Sequence, residues 1–235
     1  MNSAQSKGPP DPPQTLSEIL FEEFCTTNVL IWERIPRNPP YQTADYAVTL
    51  EGQRVVVEIK QIENNDEEKR QIAELEARGR SSGVGGTLGT RIRNEITRGT
   101  KQIWNITNGS CPSILLLFDN RHEMFRYVFL SEEFLFAMYG PETRILRLHS
   151  DGVTKPALVG KKFETRRKMS STRSKHISAL GLFYRNKSGG VSITLFHNRF
   201  TNVPLKCSLF SGLSVTHFSV QTPNPEDFGE WQEIA

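Results

Sequence analysis

Apolar and polar positions alternate along this chain with two different periods, and the switches between them divide it into elements. Residues 1–14 show neither period. Pro9, Pro10, Pro12 and Pro13 stand there among Ser, Gly and Gln, so a disordered tail is expected, because such a stretch has little apolar surface to bury. Leu16, Ile19, Leu20 and Phe24 then recur at helical spacing behind Thr15 or Ser17, either of which can cap a helix. Residues 28–35 (NVLIWERI) predict a strand, followed by a loop at Pro36, Pro39 and Pro40. Period two takes over in residues 44–50 and 53–62, two strands separated only by Glu51 and Gly52. Helical patterns follow at 66–78 and 90–105, with a glycine-rich loop (79–89) between them. The continuous apolar run 113–119 (SILLLFD) suits a strand buried on both faces.

Further on the pattern is weaker. A short helix is expected from Ser131, and strands at 144–148, 177–184, 191–197 and 213–220. The resulting order α-β-β-β-α-β predicts an α/β fold with a mixed sheet and helices packed on it. The chain divides into a tail (1–14), an α/β core (15–125) and a β-rich C-terminal extension (126–235) packed on the core, within the same domain or as its own unit. Phe183, Tyr184, Phe196, Phe200 and Phe210 are read as a second core rather than a base-stacking platform.

The hairpin is where chemistry enters. If Glu51 and Gly52 form a two-residue turn, with Gly52 supplying positive φ, then Leu50 pairs with Gln53 and Asp45 falls opposite Glu58. Their Cβ atoms would then be about 5 Å apart. Lys60 shares that face, while Tyr46, Val48, Leu50, Val55, Val57 and Ile59 form an apolar stripe on the other. Two like charges opposed on a sheet are destabilising, and a cation between them removes the conflict. Carboxylates suit Mg²⁺ or Mn²⁺, with the Ile59 backbone carbonyl as a further ligand. Lys60 would orient or help deprotonate a water, or stabilise charge on a phosphoryl group. The competing reading is three solvated surface charges.

Composition narrows the class. The net charge over 235 residues is only +3, so any polyanion would be met by a local cationic surface. In the helix at 90–105, Ile92, Ile96 and Ile103 form one arc, and Arg91, Glu95, Arg98 and Gln102 another that can reach a phosphate backbone. Lys101 belongs with the candidate nucleic-acid contacts. A second basic run carries Lys161, Lys162, Arg166, Arg167 and Lys168; it reads as a phosphate-gripping loop or, equally, as a solvated one. Cys25, Cys111 and Cys207 form no disulfide framework or Cys/His metal spacing, and the five histidines are scattered. Asp119, Asn120, Arg121 and His122 form the one polar cluster containing a histidine. No GxxxxGK[ST] or GxSxG motif is present. Without a signal peptide or a long apolar span, a cytoplasmic location and no membrane association are expected.

The run Asp45…Glu58-Ile59-Lys60, on a hairpin within this element order, resembles the PD-(D/E)XK nuclease superfamily over residues 15–120. Thr43-Ala44 stands where that superfamily often has a proline before the acid. The resemblance implies a three-layer, restriction-endonuclease-like core and Mg²⁺-dependent hydrolysis of DNA, with RNA as an alternative. Double-strand cutting would call for a homodimer. It also implies an acid from the first helix: Glu18 and Glu22 point away from the inward stripe, and Glu23, placed with Leu16 and Ile19 on it, is preferred, then Glu22. Gln102 resembles a glutamine found near the metal in some members, and Gln61 takes a supporting role. The alternative is a non-catalytic nucleic-acid-binding or protein-interaction module on the same scaffold.

Overall fold

The computed structural model describes all residues except 1–12, 38, 39, 41, 83–88, 127–130, 149, 151, 152, 154, 164–166 and 187. Most of the expected tail, the centre of the glycine-rich loop and Arg166 therefore lie outside the described residues. In chain order the elements are α1 (Leu16–Thr27), β1 (Ile31–Arg34), β2 (Tyr46–Leu50), β3 (Gln53–Ile62), α2 (Asp66–Arg78), α3 (Thr90–Thr107), β4 (Ser113–Asp119), α4 (Glu123–Arg126) and α5 (Ser131–Tyr139). They continue with β5 (Glu142–Arg147), β6 (Ala157–Phe163), β7 (Ala179–Arg185), β8 (Val191–His197), a 3-10 turn (Cys207–Phe210), β9 (Val215–Val220) and β10 (Trp231–Ile234).

One eight-stranded mixed sheet runs in the order β1-β2-β3-β4-β7-β8-β9-β10, and β5 and β6 form a separate ribbon. β1, β2 and β3 are antiparallel neighbours, β4 is parallel to β3, and β7 is parallel to β4. The fold is α/β, and its sheet crosses from the first half of the chain into the second through the β4–β7 pair. Six of the seven residues of β4 are buried, as a central strand covered on both faces requires. On one face, Leu20, Phe21 and Phe24 of α1 pack against Tyr46, Val48, Val57 and Ile59. On the other, Ile92, Ile96 and Ile103 of α3 and Phe134 and Met138 of α5 cover Val56, Leu115 and Leu117.

The sequence pattern misplaces the face of α1. Leu16 and Ile19 are 43% and 47% exposed, and the helix buries Ser17, Leu20, Phe21, Phe24 and Cys25 instead. Three aromatic or branched side chains at 20, 21 and 24 bury more area than a stripe through 16 and 19. Strands β6 and β10 escape the sequence pattern for a simpler reason. Six of the seven residues of β6 are not buried, and β10 is a four-residue edge strand with none buried, so neither shows apolar alternation.

The β2–β3 turn has the expected length. Glu51 (φ 47°) and Gly52 (φ 80°) both occupy the left-handed region, which suits the right-handed twist of the two strands. Leu50 pairs with Gln53 and Tyr46 with Val57. A Cβ on Gly52 would meet nothing within 4 Å, so the requirement there is conformational. Gly52→Val is therefore expected to cost about 1–2 kcal/mol through positive φ alone, and Glu51→Asn to be neutral or stabilising. Urea unfolding of the two variants measures both effects.

Candidate active site

Asp45 sits one residue before β2, one step beyond the Tyr46–Val57 pair, and so faces Glu58 across the hairpin. Its Oδ2 accepts a hydrogen bond from the Ile59 backbone N–H at 2.8 Å. Strand alternation turns Glu58 and Lys60 toward α3, with Val56 and Ile62, and turns Val57 and Ile59 toward α1. Asp45, Glu58 and Lys60 therefore converge.

Glu58 is fully buried. The Lys60 ammonium contacts its Oε1, but not in hydrogen-bonding geometry, and neither Glu58 oxygen has a hydrogen-bond donor among the described residues. Burial, and then the facing Asp45 carboxylate, push the Glu58 pKa up to about 8, against the pull of Lys60. Burial also raises the Asp45 carboxyl, and the charge of Glu18 adds to this, while the Ile59 N–H and Lys60 oppose it. Two acids are thus held where ionising both is costly.

Lys60 is fixed from its other side. Its Nζ donates to Gln102 Oε1 at 2.7 Å, and Gln102 Nε2 donates to the Thr43 carbonyl at 3.1 Å. α3 thereby ties the ammonium to the segment that carries Asp45. An open cleft of about 690 Å³ lies against Asp45, Lys60 and Gln102 and is walled by Glu18, Arg34, Arg37 and Thr43.

Gln102, singled out from the sequence, is thus brought to the centre, and Gln61 has a supporting contact: its Oε1 accepts the Ser17 N–H at 2.9 Å in the first turn of α1. The first-helix acids differ from expectation. Glu23 pairs with Arg185 at the end of β7 at 2.8 Å, away from the cleft. Glu22 accepts from the Tyr46 hydroxyl at 2.8 Å and from Arg34 Nε at 2.7 Å, on the α1 side of the sheet. Glu18 is the helix acid at the cleft, where its Oε2 also accepts from the Thr15 N–H at 2.6 Å to close the capping box. The cause of this correction is the rotated face of α1, which turns Glu23 outward.

The expected phosphate contacts mostly lie elsewhere. Arg91 pairs with Glu68 at 2.7 Å, joining α3 to α2, and Arg98 pairs with Glu95 at 3.0 Å along its own helix. Lys101 and Lys162 are exposed, and Lys161 pairs with Glu142 at 3.2 Å on the β5–β6 ribbon. Arg167 is buried, paired with Glu226 and placed over the Phe200 ring, so this part of the basic run is structural. Lys168 is half-buried, and none of these side chains lines the cleft. The sequence pattern missed Arg34 and Arg37, which do; the only hint was their position flanking Ile35-Pro36 beside the hairpin. Asp119 and Arg121 form an ion pair at 2.8 Å, with Glu68 at 3.5 Å from Arg121, a buried structural knot at the end of β4.

Compared with known proteins, the chain matches no family model, no curated protein and no solved structure. No helix among the described residues is long and apolar enough to cross a membrane.

Because the folded pKa of Glu58 (about 8) lies above its ordinary 4.5, the folded state binds that proton more tightly than the unfolded chain. Metal-free stability should therefore fall as pH rises from about 4.5 to about 8. Glu58→Gln removes the titrating group. Its melting temperature in EDTA should vary less between pH 5 and pH 8 than that of the unaltered protein, and parallel profiles would contradict the assignment.

Proposed function

We propose that this chain is a metal-dependent nuclease of the PD-(D/E)XK type, hydrolysing DNA phosphodiester bonds within a restriction-endonuclease-like, three-layer core. The observation that carries the reading is the buried Glu58 carboxylate. It has no hydrogen-bond donor among the described residues, faces Asp45, and adjoins a lysine at the edge of a cleft. The element order α1-β1-β2-β3-α3-β4, with α2 inserted, and the hairpin register also support it.

These residues fit a hard divalent cation. Two acids that resist joint ionisation become compatible when a positive charge lies between them, and an all-oxygen donor set suits Mg²⁺ or Mn²⁺. Asp45 and Glu58 would hold the ion, with the Ile59 carbonyl as a third donor. The ion supplies Lewis acidity at a phosphoryl oxygen and a bound water of lowered pKa.

The chain's own groups divide the remaining work. Lys60, steadied by Gln102, presents a fixed positive charge where a phosphorane-like transition state gathers negative charge. Because Gln102 occupies one side of the ammonium, Lys60 can turn from Glu58 toward substrate without losing every partner. Arg34 and Arg37 on the cleft wall meet the phosphate backbone, and such contacts weaken as salt rises. Glu18, negative and beside Asp45, favours cation binding at the same mouth.

One observation favours a second reading. Lys60 already contacts Glu58, and a closed ion pair would suit a non-catalytic nucleic-acid-binding module. Incubation with plasmid, single-stranded DNA and RNA in Mg²⁺, Mn²⁺ or EDTA separates the two. The nuclease reading expects metal-dependent cleavage of DNA, reduced about 100-fold or more by Lys60→Ala and by Asp45→Asn. Binding of nucleic acid without cleavage of any substrate in either metal would establish the second reading, and cleavage confined to RNA would overturn the DNA assignment.

A further inference from the structure

A different group of side chains gathers on the opposite face of the sheet. Val191, Ile193 and Leu195 of β8 belong to the α1-side core, so alternation directs His197 to that face. His217 on β9 pairs with Leu195, which places it diagonally beside His197. The 3-10 turn brings in Cys207. His197, Cys207 and His217 follow one another at intervals of ten residues, a spacing that matches no compact metal-binding motif, yet His197 Nε2 and His217 Nδ1 are 2.9 Å apart and Cys207 Sγ is 3.8 Å from His197 Nε2.

We propose that His197, Cys207 and His217 form a binding site for a soft divalent cation, Zn²⁺, which pins the β8–β9 crossover to the sheet. The ligand atoms all lie within 4.8 Å of one another. Around a tetrahedral zinc, two imidazole nitrogens sit about 3.4 Å apart and a nitrogen and a thiolate sulfur about 3.6 Å. The observed 2.9 and 3.8 Å bracket those values, so the two rings need to part by about half an ångström. Loss of the proton they share in the metal-free hydrogen bond permits that.

The ligand set selects the metal class. Two imidazoles and a thiolate favour zinc over the magnesium or manganese suited to Asp45 and Glu58. A copper electron-transfer centre commonly adds an axial methionine; the methionines whose side chains are described, Met138 and Met169, both belong to the core on the other face. Three protein ligands leave a fourth position for water, and Cys207 is only partly buried, so solvent has access.

The crossover explains the need. β8 and β9 are parallel, and parallel neighbours are usually joined through a helix that covers the sheet. Here the connection holds only the four-residue 3-10 turn, with Leu205, Leu209 and Phe210 inserted into the core. A metal bound to Cys207 and to both strands would fasten this segment. Burial raises the Cys207 thiol pKa, so binding must release the thiol proton.

Titration of the reduced full chain with Co²⁺ tests the site. The expected result is one tightly bound Co²⁺ per chain, with a thiolate-to-cobalt charge-transfer band and tetrahedral visible absorption, both displaced by Zn²⁺. Cys207→Ser, checked for folding by circular dichroism, should lose the charge-transfer band and bind about tenfold more weakly or worse. Glu58→Gln should leave the band intact, which separates this site from the acidic one. Absence of a thiolate band in the unaltered protein would overturn the proposal, as would a band that survives in Cys207→Ser.

Discussion

A carboxyl group removed from water, with a second acid facing it and no hydrogen-bond donor among the described residues, is the arrangement on which the rest of this structure depends. Burying an ionised group costs several kcal/mol unless charge or hydrogen bonds compensate. Glu58 lies among the buried Val55, Val56, Val57 and Ile59 of β3, where a raised pKa and the adjoining Lys60 ammonium offset part of that cost. The turn at Glu51 and Gly52 sets the register that opposes it to Asp45. α3 supplies Gln102, which holds Lys60 in place, and the first turn of α1 sets Glu18 at the mouth. Each element near the site constrains one of its charges.

The two faces of the sheet carry different chemistry. The α3 side holds Glu58 and Lys60 beside Asp45, a hard oxygen-donor environment open to a polar cleft. The α1 side holds two imidazoles and a thiol beneath an irregular crossover. Hard and soft cations would therefore separate by donor type and not by affinity alone. On this account the first site performs a reaction and the second secures a segment of the fold.

Much of the first site was legible because strand geometry is periodic. Once Gly52 is taken as a turn residue, the pairing of Asp45 with Glu58 and the placement of Lys60 follow from alternation. Gln102 was legible through the resemblance, since the arc it shares on α3 with Arg91 and Arg98 does not by itself distinguish it from them. The helix acid was not, because Leu16 and Ile19 are as apolar as the residues that are buried, and tertiary packing chose Phe21 over both. On the cationic cleft wall, Arg34 ends β1 as one of the two adjacent charges of that strand, and Arg37 lies in the proline-rich loop without periodicity, so neither stood out. Arg91 and Arg167 looked available as charges but are paired with Glu68 and Glu226, partners distant in sequence. The His197, Cys207 and His217 group was invisible for the same reason, since it exists only after β8 and β9 pair and the turn folds over them.

The central claim is that Asp45 and Glu58 jointly hold a divalent cation. Anomalous diffraction from crystals soaked in Mn²⁺ tests it most directly. The account predicts a manganese peak in contact with both carboxylates, with Lys60 turned away from Glu58. Manganese bound elsewhere, with Glu58 still closed on Lys60 and no peak between the two acids, would contradict it.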